Sequence, residues 1–112
     1  MIRKAKIKDI KQIQELIACF AKRDEMLPRS LNELYENIRD FWVYEDKGKV
    51  AGCAALHISW DDLAEIKSLA VAKNKQGKGI GKDLVTACLA EAEVMGAKKI
   101  FILNLFWKNV LS

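Results

Sequence analysis

Residues 63–82 read LAEIKSLAVAKNKQGKGIGK, and DLVTACLAEAEVMG follows at 83–96. The first part alternates at the two-residue period of a strand, with Leu63, Glu65, Lys67 and Leu69 on one side and Ala64, Ile66, Ser68 and Ala70 on the other. The last part changes period. Ile80, Leu84, Val85, Cys88, Ala92 and Met95 fall on one helical stripe, which Gly96 ends. Between them lies KNKQGKGIGK, residues 73–82, with four lysines, three glycines and no acid. KKIFILNLF at 98–106 is then an apolar strand, expected to be covered on both faces. A strand, loop, helix and strand in this order predict one parallel pair with a basic, glycine-studded turn at the helix mouth.

Working outward, FWVYED (41–46) and VAGCAALHISW (50–60) are strand-like and are joined by the turn signal DKGK. IRKAKI (2–7) reads as a short first strand. Asp9 is placed to cap a helix carrying Ile10, Ile13, Leu16, Ile17 and Phe20. Ser30 and Glu33 have capping-box spacing before a short helix with Leu31, Leu34, Tyr35 and Ile38. The expected order is β-α-α-β-β-β-α-β, an α/β chain with a mixed, mostly antiparallel sheet in a single domain over residues 1–112.

The 112 residues are 51% apolar and 30% charged, which suits a packed domain and not a disordered chain. A net charge of +4 permits anionic ligands. No lysine face interleaved with aromatics marks a nucleic-acid binder. Cys19, Cys53 and Cys88 form no CxxC pair and there is one histidine, so the expectation is three reduced core thiols, no metal and a cytoplasmic protein. The N-terminus carries no signal-peptide pattern, and no run is long enough to span a membrane.

Two common phosphate loops do not fit 73–82. In a Walker-type alignment on Gly81-Lys82, Gln76 replaces the first glycine and Asp83 replaces the magnesium-binding Ser/Thr. Gly77, Gly79 and Gly81 also lack dinucleotide-fingerprint spacing. Q-x-x-G-x-G, filled by Gln76, Gly79 and Gly81, does fit. Here open N–H groups and the dipole of a helix N-terminus meet an anion, glycines let the backbone approach it, and Lys78 and Lys82 add charge.

AEIKSLAVAKNKQGKGIGKDL resembles the acetyl-CoA-binding core of the GCN5-related N-acetyltransferase (GNAT) superfamily, and the element order resembles it over nearly the whole chain. AEIKSLAV is most similar to the acetyltransferase domain of amino-acid N-acetyltransferases of the N-acetylglutamate synthase type. The resemblance implies a bulged strand whose main chain at Leu69, Ala70 and Val71 pairs with the pantetheine arm of acetyl-CoA, with the Leu69 N–H polarising the thioester. It implies that the amides of Gln76, Gly77, Lys78, Gly79, Ile80 and Gly81, with Lys82, wrap the pyrophosphate, and that Asn109 also lies at the coenzyme. It also implies a small amine as acceptor, an amino acid such as glutamate. Glu65 is the candidate general base, about 13 Å from Leu69 at ~3.3 Å per residue along the same face, a separation that suits transfer through water. Lys67 is a candidate for an acceptor carboxylate. His57 is read as a structural strand histidine, with a second base as the alternative, and Cys88 as a buried core thiol.

The family pattern continues with one more helix and two strands, which usually supply a tyrosine acid. This sequence ends at Ser112, and Tyr35 and Tyr44 lie in other elements, so no general acid is assigned. The edge at 100–106 is expected to be covered by a second copy in a homodimer. A non-catalytic acyl-CoA-binding module is the alternative function.

Overall fold

The computed structural model describes residues 1–23 and 28–103. Five strands form one sheet in the order β1 (Ile2–Lys4), β2 (Phe41–Asp46), β3 (Lys49–Ile58), β4 (Leu63–Val71) and β5 (Lys99–Leu103). The first three pairings are antiparallel and β4–β5 is parallel. Helices α1 (Ile10–Ala21) and α2 (Leu31–Glu36) lie between β1 and β2 in the chain, and α3 (Ile80–Met95) joins β4 to β5. This is the predicted element order and a mixed α/β fold. Among the described residues, no helix is long and apolar enough to cross a membrane.

The sheet has two apolar faces. On one, Ile10, Ile13, Ile17, Phe20 and Leu34 pack against Phe41, Val43, Cys53, Ala55 and Ala70. On the other, Ile80, Leu84, Val85, Cys88 and Ala92 of α3 pack against Ala54, Leu56, Ala64, Ile66, Leu69 and Val71. Each large apolar side chain buried here contributes about 1.5–3 kcal/mol. Gly52 lets α3 sit close to β3, since a Cβ there would meet Leu84 Cδ1 at 3.1 Å and Ile80 Cγ2 at 3.2 Å. The β2–β3 turn has positive φ at both Lys47 (52°) and Gly48 (81°), the geometry that continues the twist of a two-residue hairpin.

Several local expectations are corrected. Asp9 makes no side-chain cap on α1. It is 1% exposed, its carboxylate accepts from Arg3 Nη1 at 2.7 Å and Nη2 at 3.0 Å, and it also accepts from the Lys6 N–H at 2.7 Å. Arg3, foremost, and burial acting against it leave the Asp9 carboxyl below its usual range. Ser30 does cap α2, accepting from the Glu33 N–H at 3.1 Å, but the Glu33 carboxylate goes to Arg29 instead of closing the box. Met95 is exposed, because the buried row Ile80, Leu84, Cys88, Ala92 runs at four-residue steps and next reaches Gly96. Cys19 is exposed, unlike Cys53 and Cys88. Strand β5 is not covered on both faces. Its Ile100 and Ile102 pack under α3, whereas Phe101 is 56% exposed, since α1 lies over β3 and β4. Residues 104–106 and Asn109 lie outside the described residues.

Candidate active site

The largest departure from the sequence pattern is inside β4. Opposite β3, Cys53 registers with Ala70 but Ala55 registers with Lys67, so β4 holds one extra residue there. Ser68 supplies it, with φ 56°. A non-glycine residue in this left-handed region costs roughly 1–2 kcal/mol. Two long-range contacts hold it. Arg29 Nη1 donates to Ser68 Oγ at 2.9 Å, and Cys53 Sγ donates to the Ser68 carbonyl at 3.3 Å. Hydrogen bonds from a charged donor contribute about 1.5–3 kcal/mol, enough to offset the strain.

The bulge changes which residues share a face. Up to Lys67, the residues Ala64 and Ile66 face α3, and Glu65 and Lys67 face the α1/α2 side. Beyond the extra residue the parity inverts. Leu69 and Val71 join the α3 cluster and Ala70 joins the other. Leu69 therefore does not share a face with Glu65, and the regular-strand spacing of about 13 Å at ~3.3 Å per residue no longer describes their separation.

The β4–β5 register ends at Lys67↔Leu103, below the bulge. The Ala72 N–H donates to the Ala51 carbonyl at 2.8 Å. By the alternation of an antiparallel ladder, Val71, one residue earlier, turns its N–H and C=O to the edge away from β3. There the Val71 carbonyl accepts from Gln76 Nε2 at 3.0 Å. Ala70 pairs with Cys53 of β3. Gln76 is thus a brace between strand and loop, and its own N–H closes a short turn on the Lys73 carbonyl at 3.5 Å.

The loop then delivers a helix end. Gly77 and Gly79 have φ of 80° and 82°, with nothing within 4 Å of where a Cβ would stand. This is a backbone that only glycine adopts easily, and it opens onto free space. The Asp83 N–H reaches the Gly79 carbonyl at 3.0 Å. It is the first bonded N–H of α3, so those of Ile80, Gly81 and Lys82 have no acceptor within the helix. Lys78 and Lys82 are exposed beside them. Lys75 is committed elsewhere: it pairs with Asp46 at 2.6 Å, and that hydrogen bond holds Lys75 above its usual range and Asp46 below. The loop is thereby tied to the β2–β3 turn.

On the α1/α2 side, Glu65 registers with His57 of β3 and with Phe101 of β5, and Lys67 with Ala55 and Leu103. His57 Nδ1 lies 2.8 Å from Asp40 Oδ2. Sequence reading missed two neighbours here. Arg29, with its side chain 8% exposed, lies over the Phe41 ring at 5.3 Å and reaches the bulge. Ser68 carries no mark beyond being a polar residue on the otherwise apolar side of its strand. The Cys88 thiol is buried and its pKa is pushed up to about 12 by burial, so it is no nucleophile.

The fold and this site define a class of domain: a bulged strand whose Val71 main chain turns to the outer edge, and a glycine loop that opens onto a helix mouth. Residues 7–109 match the acetyltransferase (GNAT) family model, and the chain belongs to that family. It is 37% identical over 107 residues to an amino-acid acetyltransferase of Mycobacterium tuberculosis, covering 93% of this chain and 61% of that protein. It is similar to a Mycobacterium tuberculosis crystal structure in complex with CoA, with TM-score 0.89 and 36% identity over 95% of this chain and 65% of that one. It is also similar to the Neisseria gonorrhoeae N-acetylglutamate synthase complexed with coenzyme A and N-acetyl-glutamate, with TM-score 0.89 and 33% identity over 93% of this chain and 25% of that one. The chain thus spans 61% of the length of its Mycobacterium tuberculosis relative.

Proposed function

We propose that this domain transfers the acetyl group of acetyl-CoA to the amine of a small molecule, an amino acid such as glutamate. The bulge at Ser68 carries the reading, because it places an outward-facing strand edge next to a helix mouth with unbonded amides. A thioester on a long amide-bearing arm with a diphosphate at its far end matches both. The Val71 main chain, its N–H turned outward, pairs with the arm, whereas Ala70 is turned to β3 and takes no part. The amides of Gly77 to Gly81, with Lys78 and Lys82, take the diphosphate. Gln76 serves by bracing Val71.

The Leu69 N–H polarises the thioester carbonyl and holds the oxyanion. Glu65 takes one proton from the acceptor's ammonium through water. The nitrogen lone pair then forms the C–N bond, the C–S bond breaks with its electrons on sulfur, and the second nitrogen proton ends on that sulfur. Lys67 and Arg29, cations on the acceptor side, hold a substrate carboxylate.

The test is calorimetric titration with CoA, then thiol release from acetyl-CoA over a panel of amino acids. Tight CoA binding with turnover of an amino acid supports the proposal. Binding without turnover of any amine points instead to a non-catalytic acyl-CoA-binding module, and no binding overturns the cleft assignment.

Two further parts belong to this reading. The free thiols Cys19, Cys53 and Cys88 suit the reducing cytoplasm. Strand β5 is outermost in the sheet with Phe101 exposed, and a second copy covers that edge in a homodimer. Sedimentation as a monomer at micromolar concentration would remove the dimer.

A further inference from the structure

The Asp40–His57 pair has no part in the chemistry just described, yet it stands beside the proposed base. An ionised carboxylate can only accept, so the contact of Asp40 Oδ2 with His57 Nδ1 at 2.8 Å puts the ring proton on Nδ1. In the neutral ring, Nε2 then carries the lone pair. Cys53 and Ala55 of β3 belong to the α1/α2 side, and alternation places His57 there too. It is Glu65's partner across the ladder, and opposed residues hold their Cβ atoms roughly 4.5–5.5 Å apart. Asp40 from the turn before β2 and Glu65 and Lys67 from β4 are the charged groups facing the imidazole, with Lys99 and Phe101 next in register on β5. The His57 side chain is 37% exposed, so water reaches it. No hydrogen bond or ion pair joins the side chain of Glu65 or Lys67 to another described residue.

We infer that Glu65, His57 and Asp40 form one proton relay for the acceptor amine, an inference that rests on the acetyltransferase reading. The ammonium proton passes through water to Glu65, from there to His57 Nε2, and then to bulk water. Asp40 and Glu65 neutralise the imidazolium while it lasts. A carboxylate is in general a weak resting place for a proton at neutral pH, whereas an imidazole changes charge between pH 5 and 8. His57 is a positioning residue here, since it acts through Glu65 and not on the reacting atoms.

His57 is the only histidine in the chain, so one imidazole signal reports on it in nitrogen-15 NMR of this 112-residue chain. The relay predicts an Nδ1–H tautomer, and a ring signal displaced in both D40N and E65Q, because each removes a negative neighbour of the imidazole. A ring signal that E65Q leaves unmoved overturns the relay whatever the catalytic outcome. In turnover, H57Q should lower kcat about tenfold at neutral pH and displace the pH–rate profile, leave KM for acetyl-CoA unchanged, and regain rate when imidazole is added. A wild-type chain that acetylates no amine overturns the transfer reading and the relay with it. A wild-type chain that turns over, with H57Q keeping its rate and pH profile, overturns the relay alone.

Discussion

Replacing Gly79 by aspartate and by asparagine separates the charge of the proposed anion site from its shape. Gly79 sits at the start of α3 with φ 82° and open space around its missing Cβ. Asn and Asp are the non-glycine residues that best tolerate this conformation, and both are at home at a helix N-terminus. The two variants are nearly isosteric, so strain of roughly 1–2 kcal/mol applies to both, and with it a similar loss of a few degrees in Tm. They differ by one negative charge. At ~5 Å from one charge of a diphosphate, with an effective dielectric near 20, that charge repels by about 3 kcal/mol, or roughly 100-fold in Kd. Calorimetry with CoA should therefore show Gly79→Asn binding modestly weaker than wild type and Gly79→Asp binding weaker again by about two orders of magnitude. The gap should narrow as salt is raised. Equal Kd values for the two variants, with matched Tm, would refute the placement of a diphosphate at this helix mouth.

Glu65→Gln should reduce kcat about 100-fold or more while leaving CoA affinity unchanged, which stopped-flow thiol release and calorimetry check together. Asp9→Ala leaves the Arg3 guanidinium with Glu45 as its one carboxylate among the described residues, beside the Lys4 carbonyl, and should cost about 3 kcal/mol, read by urea denaturation. The Asp9 carboxyl is held below its ordinary range, foremost by Arg3, so its contribution to stability is present above the ordinary carboxyl range and is lost as pH falls through its lower folded value. Acid unfolding of Asp9→Ala should lack that component. Burial pushes the Cys53 and Cys88 thiols up to about 12, so a thiol reagent near pH 8 should label Cys19 alone in the native protein and all three cysteines in denaturant.

The relation between pattern and structure differs from element to element. The helical stripe of α3, its stop at Gly96, the DKGK hairpin and the alternation of β4 up to Lys67 are local matters of period and turn chemistry, and the residues there announced them. Two terminal expectations failed for geometric reasons. Met95 lies off the four-residue row that reaches the sheet, and Phe101 lies on a strand that α1 does not cover. Asp9 failed as a cap because a half-buried guanidinium forty-odd positions from its other partner competes for the same carboxylate. Arg29 and Asp40 were not singled out at all, since a lone charged residue beside a cap or a turn has no local mark of what it will touch.

Period, turn chemistry and the glycine loop are encoded within a few neighbouring residues, and they alone determined the element order and the open main-chain donors of the helix mouth. The face that each residue of the cleft presents was decided only in three dimensions. Ser68 adopts a left-handed conformation that its own side chain does not favour. Arg29, thirty-nine positions away, and Cys53, fifteen away, hold it there. That one extra residue inverts the parity of β4, separating Leu69 from Glu65 and setting Glu65 beside His57, and no local pattern can specify an inversion maintained by contacts so distant in the chain.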